Sequence, residues 1–369
     1  MNIAEFFDQK MNIRSILLDF IENESNTDAD FHNFILQLKE SENNIENRND
    51  LKELLHLISK ISNNHHRSTH FFSKIYRILL HFKDEILQFF SNYEIFNVFK
   101  SNKRILLFLF ENKIVLVNES IALTMMHEKK YREYNYDYFF FKEIKNFIND
   151  ETRQIINEEI AEKYQNEIIF ENKRKAGEND SFIYEIIRND SIDEFVSYTN
   201  QANFPLSAII KQSIFETNSF LLDKELTIIE YAAFFGSIQI LKYLFLNGIE
   251  LNQSLWIYAI HGKNPEIIHF LEENHIKPID ITYTECLMES IKCHHDDITD
   301  YLIQNICTQK QQDDLFLYHL KMHDYYYNSE NNLSNELLFY YLCRYDYLSL
   351  VDLFLETTDI LTKINSRII

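Results

Sequence analysis

Four glycines and three prolines in 369 residues constrain this chain more than any other feature. An average protein carries roughly 12% of the two together. Tight hairpins and phosphate-cradling loops both need glycine at positive φ. A chain this poor in glycine is therefore not expected to form a β-sandwich or a doubly wound nucleotide-binding fold. Helices joined by Asn- and Asp-rich turns remain, because those side chains tolerate the left-handed region and bond their own backbone. The 31 Phe and 22 Tyr predict an aromatic-rich core.

The clearest local pattern lies in residues 227–252. Thr227 and Glu230 stand at the S/T-x-x-E spacing of a capping box, so a helix is expected to start there. Gly236 is placed to stop it. A second helix follows, with Ile240, Leu241, Tyr243, Leu244 and Phe245 on one buried face. Asn247-Gly248 ends it, with Gly248 suited to a left-handed cap. The second-helix pattern recurs at Ile267, Ile268, Phe270 and Leu271, at Ile298, Tyr301 and Leu302, and at Leu350, Val351, Leu353 and Phe354. The steps are 27, 31 and 52 residues, so the array is irregular, or a degenerate unit lies within 306–330. Upstream, Ile105, Leu106, Phe108 and Leu109 fit, and Ile192, Phe195 and Val196 fit more weakly. First helices packed side by side call for a small residue; Ala232, Ala259 and Ser290 supply it, whereas Asn97 and Leu342 do not.

Residues 227–252 resemble one ankyrin repeat from end to end. Thr227, Ala232, Ala233, Gly236 and Gly248 match the family pattern, and Glu250 and Asn252 stand where Asp and Asn usually stand. Ile228 replaces the family's Pro and Glu230 its His, which calls into question the usual side-chain network between neighbouring repeats. More broadly, residues 54–68, 97–114, 177–195 and the run from Tyr231 to His295 resemble the large set of ankyrin-repeat proteins, with an associated domain of unknown function, expanded in trichomonad protists. The resemblance implies protein interaction and supplies no partner.

The expected architecture is all-α: an ankyrin-type helical repeat solenoid with a degenerate helical N-terminal region. Residues 1–170 would form that region, 171–180 a polar linker, and 181–369 the array. Polar loops are expected at 41–50 and 324–333, and a frayed tail at 366–369.

Catalytic signatures are missing. No G-x-G, G-x-S-x-G, H-E-x-x-H or kinase motif occurs, so no catalysis and no cofactor are expected. Cys286, Cys293, His294 and His295 are the best metal candidates. The cysteines stand seven apart, however, and structural zinc sites show C-x2-4-C spacing. His65, His66 and His70 fall in another interhelix turn, and no metal site is expected at either place. Trp256 is expected as a buried anchor. The 57 acidic and 36 basic residues leave a charge of -21, a field that disfavours nucleic acid and anionic lipid and favours a basic protein partner.

The four cysteines, Cys286, Cys293, Cys307 and Cys343, are too few and too clustered for a disulfide framework and suggest a reducing compartment. Residues 1–20 do not read as a signal peptide. The longest strongly apolar run, 105–110, falls far short of the roughly 20 residues that span a bilayer. The expectation is a soluble intracellular protein of the cytoplasm. Its function is expected to be that of a scaffold or adaptor, whose concave face binds a protein through residues such as Phe234, Phe235, His261 and Lys263. The alternatives are a self-associating structural protein, or an enzyme with its site in the N-terminal helices. Oligomeric state is not readable from the sequence.

Overall fold

The computed structural model describes residues 3–40, 47–127, 134–164, 167–222, 225–306, 315–326 and 335–357. Parts of the loops expected at 41–50 and 324–333, part of the degenerate unit expected within 306–330, Cys307 and the tail at 366–369 lie outside those residues. Among the described residues the fold is all-α, with no strand and a single isolated β-bridge between Ile209 and Thr227. No described helix is long and apolar enough to cross a membrane. The chain divides into two compact units, residues 82–279 and residues 1–81 with 280–369.

The 82–279 unit contains three consecutive helix pairs. They are Phe182–Arg188 with Ile192–Gln201, Ile228–Phe235 with Ile238–Leu246, and Leu255–His261 with Pro265–Glu273. The middle first helix packs against the first helix on either side. Ala232, Ala233 and Ala259 are fully buried in that layer, where small side chains let the backbones approach. The second helices also follow one another: Ile192–Gln201 contacts Ile238–Leu246, and Phe245 meets Phe270 of the next pair at 5.9 Å. Trp256 is fully buried, as expected, and its Nε1 donates to the Ile276 carbonyl at 2.8 Å.

The turns inside the pairs share one register. Each carries one left-handed residue: Asp190 (φ 48), Gly236 (φ 73) and Lys263 (φ 56). In the second and third pairs the next residue reaches back to the last turn of the preceding first helix. Ser237 Oγ donates to the Ile187 carbonyl at 2.5 Å, and Asn264 Nδ2 donates to the Ala233 and Phe234 carbonyls at 3.0 Å each. Asp190 acts in the opposite direction, accepting from the backbone N–H groups of Gln239 and Ile240 at 3.0 Å and so capping the next second helix. This close approach depends on glycine. A Cβ on Gly262 would run into the Phe234 carbonyl oxygen, and one on Gly236 into the Asn264 amide.

The capping box expected at the start of the middle pair is present. The Glu230 carboxylate accepts from the Thr227 backbone N–H and hydroxyl, both at 2.8 Å. Earlier in this unit, Lys103 is buried beneath Tyr136 and Phe139 and donates to the Ile214 and Glu216 carbonyls at 3.1 and 3.3 Å. Burial pushes its pKa down to about 7. The stretch 171–180, expected as a linker, carries the end of the helix Glu167–Ala176. Its Arg174 is fully buried and paired with Glu143 at 2.8 Å and Glu171 at 3.3 Å.

The other unit brings the two ends of the chain together. The helix Leu348–Thr357 packs on both Ile3–Glu22 and Arg48–Asn64. Charged groups hold this contact: Lys10 bridges Asp50 at 3.1 Å and Glu53 at 2.9 Å, and Glu53 accepts from the Ser349 N–H at 2.9 Å. The pair Thr284–Lys292 with Asp296–Asn305 repeats the turn register of the other unit, with His294 left-handed at φ 55. The pair Asn335–Arg344 with Leu348–Thr357 does so with Asp346 at φ 62. There the following residue, Tyr347, donates its hydroxyl to the Leu320 carbonyl at 2.9 Å, again reaching back to the preceding helix.

The rings of His56 and His323 stack at 5.5 Å in this core. Burial, together with nearby Lys60, pushes both pKa values down, that of His56 to about 4 and that of His323 well below its ordinary value. Both are therefore neutral in the folded protein, while in the unfolded chain they protonate near pH 6.5. A depressed folded-state pKa gives stability that is complete above the unfolded value and declines as pH falls below it. Urea unfolding between pH 6 and 5 should show stability falling by about 1.4 kcal/mol per pH unit for each of the two. His56→Gln should remove its share of that slope; an unchanged slope would place His56 in contact with water.

Candidate functional site

The four residues expected to touch a partner all lie in the 82–279 unit. Phe234 and His261 are buried, at 7% and 1% exposure. The reason is the segment that precedes the middle pair. Phe220, from the short helix Ser219–Leu222, stacks on His261 at 4.0 Å and lies 5.8 Å from Phe234, covering both. Phe235 and Lys263 remain half-buried, with Phe235 against Tyr231 at 4.7 Å. The large apolar side chains that reach solvent in this part of the unit stand elsewhere. Ile209 and Ile279 lie in connecting segments and Leu246 at the end of a second helix, with exposures of 57%, 65% and 82%.

The 1–81/280–369 unit contains a cluster that sequence reasoning missed. Arg14, on the helix Ile3–Glu22, is 2% exposed. Its Nη1 and Nη2 donate to the two Asp296 carboxylate oxygens at 2.9 and 2.5 Å, Nη2 also lies 2.6 Å from Asp324, and Nε donates to His294 Nδ1 at 3.0 Å. The second Asp324 oxygen bonds His319 Nδ1 at 2.6 Å. Burial alone would raise the Asp324 carboxyl, but the Arg14 charge and the bonds from His294 and His319 outweigh it and hold its pKa well below the carboxylate range. Arg14, Asp296, His319 and Asp324 line one side of a cavity of about 250 Å³, with Met11 and Leu315 among its apolar lining.

The chemistry of this cavity is limited by how fully its groups engage one another. A guanidinium held by two carboxylates and an imidazole has little left to offer a ligand anion. Of the two hydroxyl side chains in the lining, Thr299 Oγ1 shares its proton between the Ser290 hydroxyl and the His295 carbonyl at 2.9 and 3.0 Å, and Tyr326 packs its ring on His319 at 4.8 Å with part of the side chain in solvent. The arrangement is a clamp that joins the first helix to the turns at 294–296 and 323–324.

The metal candidates separate. Among the described residues Cys286, Cys293 and Cys343 are free thiols. Cys286 and Cys293 are fully buried, and burial with the nearby Glu289 carboxylate pushes the Cys293 thiol well up, away from the thiolate a metal needs. His70 does not join the other histidines. His65, His66 and His295 do: one ligand atom from each lies within 4.8 Å of the others. His66 and His295 stand 229 positions apart in the chain, and that separation gave no sequence signal of this meeting.

No family model, no curated protein and no solved structure matches this chain.

Removing one partner of a buried ion pair strands the other charge. Asp324→Ala should therefore lower unfolding stability by about 3–5 kcal/mol, measured by chemical denaturation. A loss below about 1 kcal/mol would match an exposed pair and would contradict the clamp.

Proposed function

We propose that the chain is a scaffold of ankyrin-type helix pairs that binds another protein and does not catalyse a reaction. The observation that carries this reading is the run of three helix pairs in 82–279, linked turn to turn in a single register. Stacked pairs of this kind make an extended surface whose variable parts are the connecting loops and the exposed helix faces. Ile209, Leu246 and Ile279 give those parts apolar contact points, with Phe235 and Lys263 half-exposed on the first-helix side. Phe234 and His261 act one step back, as the packing beneath that side.

The net charge of -21 favours a basic partner and disfavours nucleic acid and membranes. The absence of catalytic motifs fits a binding role in the cytoplasm. The Arg14 cluster is consistent with it, since its polar groups are spent on one another.

The immobilised chain, incubated with lysate of its own cells, should retain a protein whose binding weakens as salt is raised. Leu246→Ser combined with Phe235→Ser should reduce that retention by about tenfold or more, as loss of a contact hot spot would, while leaving the thermal midpoint within a few degrees. Retention of no protein, or retention indifferent to both substitutions, would overturn the proposal. Mass growing with protein concentration in light scattering would favour self-association instead.

A further inference from the structure

We propose that His65, His66 and His295, with the Glu22 carboxylate, form a binding site for a zinc-class divalent cation. All four residues belong to the 1–81/280–369 unit. His65 closes the helix Arg48–Asn64, and its N–H bonds the Ile61 carbonyl at 2.9 Å. Its ring is fully buried, and Nδ1 stands 2.7 Å from the Cys293 carbonyl. A carbonyl only accepts, so Nδ1 carries the proton, and with the ring neutral Nε2 presents a lone pair. That Nε2 makes no hydrogen bond, and the Glu22 carboxylate oxygen stands 3.1 Å from it without the alignment of one. Two electron-rich atoms held this close call for a cation between them.

His295 supplies a second lone pair. Its ring is fully buried, and the His66 backbone N–H points at Nε2 from 3.5 Å. His66 Nδ1 shares a hydrogen bond with that same atom at 3.3 Å, and a metal ion would replace both bonds. Zinc binds imidazole nitrogen at about 2.0–2.1 Å and carboxylate oxygen at about 2.0–2.2 Å, so two donors on one tetrahedral ion stand about 3.3 Å apart. The His66–His295 and His65–Glu22 separations already match that edge, and one nitrogen from each of the three imidazoles lies within 4.8 Å of the others, while the exposed Glu22 carboxylate would have to swing inward from His65 to complete the set. The bond from His65 to a backbone carbonyl is the outer-shell contact that fixes tautomer and ring orientation in metal-ligating histidines. Three imidazoles and a carboxylate suit zinc over calcium or magnesium, which take oxygen ligands.

The site would join three places far apart in the chain: the end of Ile3–Glu22, the turn after Arg48–Asn64, and the turn at 293–295. A cation here would act as a staple on the packing of the N-terminal helices against the C-terminal pairs.

The untagged full-length chain, stripped with EDTA and titrated with zinc chloride in a calorimeter, should bind one ion per chain. Zinc at 100 times its Kd should raise the thermal midpoint by about 5 °C. His66→Ala and Glu22→Gln, both on the solvent side of the site, should each weaken binding at least about tenfold, while the exposed His269→Ala should not. Cobalt in place of zinc should show the intense visible absorption of a four-coordinate ion and lose it in His66→Ala. No saturable binding would mean that a proton alone sits between His65 and Glu22 and would overturn the proposal. Binding undiminished in both variants would mean adventitious surface histidines and would overturn it equally.

Discussion

A side chain one residue past a left-handed turn reaches back to a carbonyl of the preceding helix, and the stacking of this protein depends on that contact. Ser237, Asn264 and Tyr347 each make it, with three different side chains at one geometric position. The carbonyls they bond lie in the last turn of a helix; those of Ile187 and Leu320 also accept from the backbone N–H groups of Asp190 and His323. A buried bond of this kind contributes about 1 kcal/mol, and leaving its carbonyl unsatisfied costs about 1–3 kcal/mol. It also fixes the register of one pair on the next, so the buried faces of Ile240, Leu241 and Leu244 and of Ile267 and Leu271 meet only in one alignment. Gly262 belongs to the same constraint at Asn264, because a Cβ there would run into the Phe234 carbonyl and the Asn264 amide.

In the unit formed by the two chain ends, charge takes over the work that small residues do in the other. Arg14 with Asp296 and Asp324, and Lys10 with Asp50 and Glu53, tie the first helix to elements that come from opposite ends of the sequence. Buried pairs contribute little over an apolar contact of the same shape, but breaking one is expensive. They accept one docking geometry and penalise others, which suits helices whose apolar faces alone would pack in several ways. The neutral His56–His323 stack makes that docking sensitive to acid.

Much of the helical architecture was legible because glycine poverty acts on the whole chain at once. The Thr227–Glu230 box and the burial of Trp256 were legible because caps and large apolar side chains act locally. The turn chemistry was read in part. Asn135, Asp190, Asn203 and Asp346 take the left-handed conformation as expected, but so do Lys113, Lys263, His275, Tyr283, His294, His323 and Tyr325. An ordinary side chain in that conformation costs roughly 1–2 kcal/mol, which neighbouring contacts offset and local propensity does not foresee. Phe234 and His261 were expected at the surface because the segment carrying Phe220 has no repeat pattern to place it. Arg14 with Asp324, and His65 with His295, are long-range meetings that no spacing rule anticipates.

The turn contact can be measured where it is cleanest. Asn264 bonds two carbonyls of the preceding first helix, whereas Asn247, on the exposed end of a second helix, bonds only the Tyr243 carbonyl of its own helix. Chemical denaturation of Asn264→Ala should show a loss of about 2 kcal/mol or more, against less than about 0.5 kcal/mol for Asn247→Ala. Equal, small losses at the two positions would mean that apolar packing alone holds the pairs in register, and would contradict the account.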